Sequence, residues 1–253
     1  MLVRLFVFFG SLVVLALCAA LVGPYFVDWT SYRADFEREA SAILGRKVEV
    51  RGDAEARLLP FPSIAFSDVV VSGANGDAVL TAEKFAMYAE LAPFLSGDVH
   101  IFDMQVERPK VEIKARADGT IDWAVRPSTP VDPRHISIEK LTVVEGQVRV
   151  ADEGSGRILA LTEINADVSA RSLAGPWRVN GSLRANGQPA AIEASTGTVN
   201  VNGLPLKLSV TPAAFPVKVE AEGNATAKDG ALAYAGTFRV AGVKPVVVEL
   251  RDG

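Results

Sequence analysis

The stretch Val111–Val125, VEIKARADGTIDWAV, sets the reading of the whole chain. Its first half alternates apolar and charged residues, Val111-Glu112-Ile113-Lys114, which is the period of a strand with one buried face. Its second half supplies Asp118-Gly119, a pair that tolerates the positive φ of a tight hairpin turn, and then Trp123, one of 3 tryptophans in the chain. The stretch therefore reads as strand, turn and return strand, the last opened by a large half-buried aromatic.

The same alternation recurs in KVEVR (47–51), QVRVAD (147–152), LKLSV (206–210), VKVEAEG (217–223) and TFRVAG (237–242). Hairpin signals separate these runs at Asn75-Gly76, Asn186-Gly187, Asn202-Gly203 and Asp229-Gly230. The pattern predicts a mainly β protein built on an elongated, twisted antiparallel sheet, forming a groove or a sandwich. Arg126–Arg134, RPSTPVDPR, carries three prolines and interrupts the ladder, because proline has no N–H to donate. A boundary is placed there, giving a β region up to residue 125 and a second from 126 to 253. The two sides resemble each other: IAFSDVVVSG from Ile64 matches ISIEKLTVVEG from Ile136, and LSGDVHI from Leu95 matches LAGPWRV from Leu173. A unit of several strands repeated along the chain suits a sheet that grows in one direction.

Composition excludes several classes. With 253 residues, 49% of them hydrophobic, and a net charge of −4, the chain is no disordered polyelectrolyte. Its basic residues are scattered, so the footprint that nucleic-acid phosphates require is missing. Cys18, the 1 cysteine, has no thiol partner for a disulfide or a thiolate metal site. His100 and His135 stand apart, and neither a nucleophile elbow nor a phosphate loop is present. Asp152 and Glu153 fall in a Gly-rich turn and are expected to stay solvated. The expectation is a non-enzyme without cofactor or metal.

Ahead of the β region, Leu5–Gly23 (LFVFFGSLVVLALCAALVG) holds no charge. As a helix it spans roughly 28 Å, close to a bilayer's hydrocarbon core. Arg4 precedes it and Tyr25, Trp29 and Tyr32 follow, so the positive-inside rule sends everything after Pro24 out of the cytoplasm. The segment 1–29 is read as one transmembrane helix with interfacial aromatics, the alternative being a signal peptide cleaved near Cys18–Ala20. A short amphipathic helix is predicted next, capped by Thr30 or Ser31, with Tyr32, Phe36, Ala40 and Ile43 on its apolar face and Gly45 at its end. Arg33 and Glu37 are assigned to its solvated face.

Taken in order, ILGRKVEVRG, LPFPSIAFSDVVVSG, APFLSGDVHIFDMQVERPKVEI and DGTIDWAV resemble the amino-terminal region of the AsmA family, within the AsmA/TamB-like group. The positions that carry the motif are Gly45, Arg46, Pro60, Pro62, Asp118, Gly119 and Trp123; Asp122 stands where the family usually has Asn. The resemblance implies an elongated β-sheet protein hung from the inner membrane of a Gram-negative envelope, its bulk in the periplasm, with a groove that carries phospholipid. It also implies contact with the inner membrane and with outer-membrane or periplasmic proteins. A non-catalytic scaffold assisting outer-membrane protein assembly is the other reading.

Such a groove has a physical rationale. A bare acyl chain in water costs about 0.8 kcal/mol per methylene, on the order of 13 kcal/mol for sixteen carbons. The candidates to line it are Val111, Ile113, Val148, Val150, Val217 and Val219, with a closed dry core as the competing assignment. Glu112, Lys114, Arg149, Lys218 and Glu220 are expected on the solvated outer face in either case. About fifteen strands at about 4.8 Å extend on the order of 70 Å, and the final VVVELRDG reads as a strand continuing in a longer chain.

Overall fold

The computed structural model describes residues 33–57, 61–73, 75–95, 98–116, 135–228 and 231–242, together with Ser11 and Leu15. Leu5–Gly23, Thr30, Ser31, Tyr32, Pro60, Asp118, Gly119 and Trp123 lie outside these residues, Ser11 and Leu15 excepted. No helix among the described residues is long and apolar enough to cross a membrane.

The chain runs through helix α1 (Arg33–Leu44), β1 (Val48–Val50), β2 (Ala54–Arg57), β3 (Ser63–Ser72) and β4 (Ala78–Ala89), then a short helix α2 (Leu91–Leu95). It continues through β5 (Val99–Glu107), β6 (Lys110–Ala115), β7 (Ile136–Asp152), β8 (Ile158–Ala170) and β9 (Trp177–Ala185). The last strands are β10 (Gln188–Thr196), β11 (Leu204–Pro212), β12 (Val217–Lys228) and β13 (Ala231–Gly242). Among the described residues all the strands, 13 of them, belong to one twisted sheet, ordered β1-β3-β4-β5-β7-β8-β9-β10-β11-β12-β13, with β2 on β3 and β6 between β4 and β7.

The sheet is mixed, which corrects the wholly antiparallel expectation. Strands β5 and β6 lie end to end along β7 and pair with it in parallel, Val99 opposite Ile136 and Val111 opposite Val148. Arg108, at φ 47°, and Pro109 separate the two strands. A parallel neighbour needs a connection of a dozen residues or more, and the stretch from Arg116 to His135 supplies that length where a hairpin turn could not. The boundary placed at 126–134 falls within that stretch, and sheet pairing continues on both sides of it through β7. Elsewhere local turn chemistry works as read: Asn186 and Gly187, at φ 46° and 85°, make a two-residue hairpin between β9 and β10.

Helix α1 covers the first edge of the sheet. Gly45 ends it at φ 63°, the left-handed conformation that glycine adopts without steric cost. Arg46 follows in the turn to β1. Phe36 packs edge-on to Phe66 at 5.3 Å between ring centres, within a cluster of Val50, Ala54, Ile64, Val69 and Phe85. Glu37 does not sit on a solvated face: its Oε1 accepts the Val50 N–H at 2.7 Å, Ser41 Oγ accepts the Val48 N–H at 2.9 Å, and Arg33 donates to the Gly52 carbonyl at 2.7 Å. The helix turns these polar groups inward because β1 is an edge strand whose outer N–H groups need acceptors. Ile43, assigned to the apolar face, is exposed instead, while Ala40 is half-buried.

Strict alternation fails at defined places. Side chains directly opposed across a ladder share a face, and on the face covered by α1 the residues of β3 are Ile64, Phe66, Val69 and Val71. In β5 they are Val99, Ile101, Met104 and Val106; in β7, Ile138, Leu141, Val143, Gly146, Val148 and Val150. In β8 they are Leu159, Leu161, Ile164, Ala166 and Val168. In β5, β7 and β8 the three-residue steps are bulges that absorb one extra residue against a neighbouring strand, while the step Phe66–Val69 in β3 is matched by Phe85–Ala82 in β4; in each case the next apolar side chain stays on the same face. Asp68, Glu145 and Glu163 take φ of 50°, 53° and 49° at these steps. Ladders among β9 to β13 carry no register shift.

Candidate functional site

The six groove candidates fall on one face. Val111 and Ile113 lie opposite Val148 and Val150, which in turn face Leu161 and Leu159. Val219 lies between Val210 and Val240, and Val217 opposite Gly242. The register connects the two groups: Val219, Val210, Ile192, Gly181, Ala166 and Val143 succeed one another across six strands. All six candidates are half-buried.

Others on this face went unnamed in the sequence reading: Leu80, Met87 and Met104 on one side, Leu206, Leu208 and Phe238 on the other. Leu206 and Leu208 were legible in the alternating LKLSV. Met87 and Met104 sit beyond three-residue steps, and their signal is apolar residues spaced i, i+2, i+5 and i+7 rather than uniform alternation.

Cover over this face is uneven. Near β1 to β4 it is helix α1. Around Ile101, Ile138 and Ala170 it is Leu173 with Trp177, whose Nε1–H donates to the Leu173 carbonyl at 3.3 Å. On β13, Phe238 is 71% and Val240 67% exposed, and Phe238 has a ring neighbour in Tyr234 at 5.5 Å. The result is a row of apolar side chains running from a packed end to an open one.

The opposite face is mostly polar. Glu112, Lys114 and Arg149 are exposed there as expected. Lys218 and Glu220 are instead half-buried: Lys218 Nζ lies 3.5 Å from Glu220 and 3.8 Å from Glu193, in a shallow depression shared with Ser209 and Lys207. An aromatic group interrupts this face at Phe61, Tyr88 and Phe102. Along the bulges, Arg108 pairs with Glu83 and Glu145, and Arg184 with Glu163. The Glu83 hydrogen bond holds the Arg108 guanidinium above its ordinary pKa and lowers that of Glu83. These pairs are exposed and fix side-chain geometry more than they add stability.

The remaining polar candidates have local structural roles. Asp152 accepts bonds from the Ser155 hydroxyl and the Gly154 N–H, which lower its carboxyl below the usual range and shape the turn into β8. His100 lies 3.3 Å from Glu90 and His135 2.7 Å from Asp98, both exposed. Pro62 immediately precedes β3 and its carbonyl accepts the Ala89 N–H at 2.8 Å.

What this arrangement can do is shield apolar matter from water. Each methylene laid on it gains about 0.8 kcal/mol, and nothing in a sheet face selects one end over the other.

No curated protein and no solved structure shows a significant match to the chain. A family model matches residues 2–227, spanning α1, the bulged strands and the sheet as far as β12, and on that match the chain belongs to the AsmA family.

Proposed function

We propose that the chain is a non-catalytic, membrane-anchored periplasmic protein that carries phospholipid with its acyl chains against the apolar face of the sheet. The family itself suggests an envelope-related protein. One observation carries the finer reading: the register keeps the apolar members of successive strands on one face, even where bulges break the alternation. A dry core needs no such continuity. An open apolar strip on a soluble protein generally marks a binding surface. The amino-terminal apolar segment holds the chain at the inner membrane, and the row of apolar side chains leads from the end covered by α1 to the open face at β13.

Charge placement tests this. Ile113→Asp, Val150→Asp and Val219→Asp put an ion on the path, where an unpaired charge is costly to bury. Lys114→Glu and Arg149→Glu change the opposite face only. Phospholipid co-purified per protein, with folding checked by circular dichroism, is expected to fall in the first set and hold in the second. Well-folded inward variants with undiminished lipid would overturn the reading in favour of a scaffold, and inward variants that unfold would assign these residues to a closed core.

A further inference from the structure

We propose that a depression on the polar face, opposite the apolar one, binds a phosphate-bearing ligand. It has a volume of about 780 Å³, within the range of small-molecule sites. Strands β5, β7, β8, β9 and β10 run side by side beneath it. The register lays out its donors: His100 opposite Ser137, and Ser169 opposite Arg178, itself opposite Ser195. Opposed side chains stand about 5 Å apart at Cβ, so Ser169, Arg178 and Ser195 form a row of about 10 Å with a guanidinium at its centre. Arg171, just past the end of β8, supplies a second guanidinium to the same depression.

Position, together with charge pairing, sets these two arginines apart, since Arg149 and Arg239 have no carboxylate partner among the described residues either but do not line the depression. Arg108 and Arg184 are engaged by Glu83, Glu145 and Glu163. Arg171 and Arg178 have no carboxylate partner among the described residues, and the hydroxyls of Ser137, Ser169 and Ser195 have no described hydrogen-bond partner either. Thr196, whose Oγ1 accepts the Trp177 N–H at 3.0 Å, borders the depression at the strand ends together with Ile138 and Ala170 of the apolar face and is not counted among its donors. One carboxylate, Glu139, lines the depression from a bulge and is exposed. Two exposed guanidinium groups above half-buried serine hydroxyls supply more donors than Glu139, the one carboxylate in the lining, can satisfy. A cation is therefore a poor fit. A phosphate group, with several acceptor oxygens in a geometry that matches the guanidinium fork, satisfies the most of them.

The inference does not rest on the groove reading, since the depression lies on the other face and is probed without lipid. The full chain in a maltoside detergent is titrated with inorganic phosphate, glycerol 3-phosphate, glycerophosphoglycerol and acetate. Saturable binding of at least one phosphate probe is expected, weakened about tenfold or more in the Arg171→Gln/Arg178→Gln double variant, as for loss of a hydrogen bond to a charged group. Arg149→Gln, on the same face outside the depression, should bind as the parent does. Preference for glycerophosphoglycerol would identify a lipid headgroup as the natural source, and preference for the two monoester-like probes a soluble phosphate. Arg178→Lys keeps the charge but loses the fork, and should also bind more weakly. Absence of saturable binding, equal affinity for acetate, or parental affinity in either the double variant or Arg178→Lys would overturn the proposal.

Discussion

Among the described residues, strands β1 and β13 are the two edges of one sheet, yet their outer hydrogen-bonding groups meet different surroundings. On β1 the Val48 and Val50 N–H groups are taken by Ser41 and Glu37 of α1, and the strand is only 3 residues long. On β13, with 12 residues, no described residue pairs with the outer edge, and the apolar face beside it is open at Phe238 and Val240. Short, covered edges resist addition of another strand, whereas long, bare ones accept it. The difference teaches that polarity along the sheet is built from a helix at one end and from regular ladders at the other. Bulges follow the same division, since they lie in β3 to β8 and not among β9 to β13.

The largest test of this contrast is a pair of aromatic truncations. Phe66→Ala, between Phe36 and Phe85, should destabilise by about 3 kcal/mol or more in denaturant melts. Phe238→Ala should change stability by less than about 0.5 kcal/mol, as an exposed site does. Equal losses would mean that the β13 face is covered after all. Next comes the regular half itself. A Cβ on Gly223 would stand 2.3 Å from the Ala235 carbonyl oxygen and 2.6 Å from Gly236 Cα, so Gly223→Ala should push β12 and β13 apart at a cost of about 1–3 kcal/mol. Loss of amide protection confined to β12 and β13 in hydrogen exchange would locate it.

At the closed edge, Glu37→Ala leaves the Val50 N–H without its acceptor, a loss of about 1–3 kcal/mol. The Val50 amide should then exchange faster than that of Val70, which lies opposite Glu49 in the β1–β3 ladder; unchanged exchange would show that another group takes the bond. The smallest effect separates bulged from regular strands. Glu145 holds φ 53°, so Glu145→Gly relieves left-handed strain and should leave stability within about 0.5 kcal/mol of the parent or raise it. Glu193→Gly in the regular ladder of β10 should cost about 0.5–1 kcal/mol. The reverse order in thermal melts would remove the distinction.

Much of this sheet is written in local chemistry. Asn186-Gly187 dictates its hairpin, Gly45 ends α1, and LKLSV and VKVEAEG show their faces, because a two-residue period and a positive φ are properties of neighbouring residues. Parallel pairing of β5 and β6 with β7 is not local: it depends on where a chain returns after Arg116, and alternation is the same for either direction. Bulges occupy a middle ground. Ile136, Ile138, Leu141 and Val143 repeat the spacing of Ile64, Phe66, Val69 and Val71, so the similarity between the two stretches records a shared three-residue step. Glu37 illustrates a different limit. A carboxylate on a helix reads as solvated unless the edge strand it serves is known.

The paired bulges of β7 and β8 bear on how this chain can change length. From Val143 to Val148 the first strand advances five residues, and from Ala166 to Leu161 the second retreats by the same number, although each carries its extra residue at a different level. An insertion or deletion in one strand alone would slide the turn at Asp152–Arg157 out of step with both ladders. Removing Glu145 and Glu163 together would restore the count between β7 and β8. Descendants of such a sheet should therefore gain or lose residues here in couples, so that an apparent gap in one strand is answered by a gap in its neighbour.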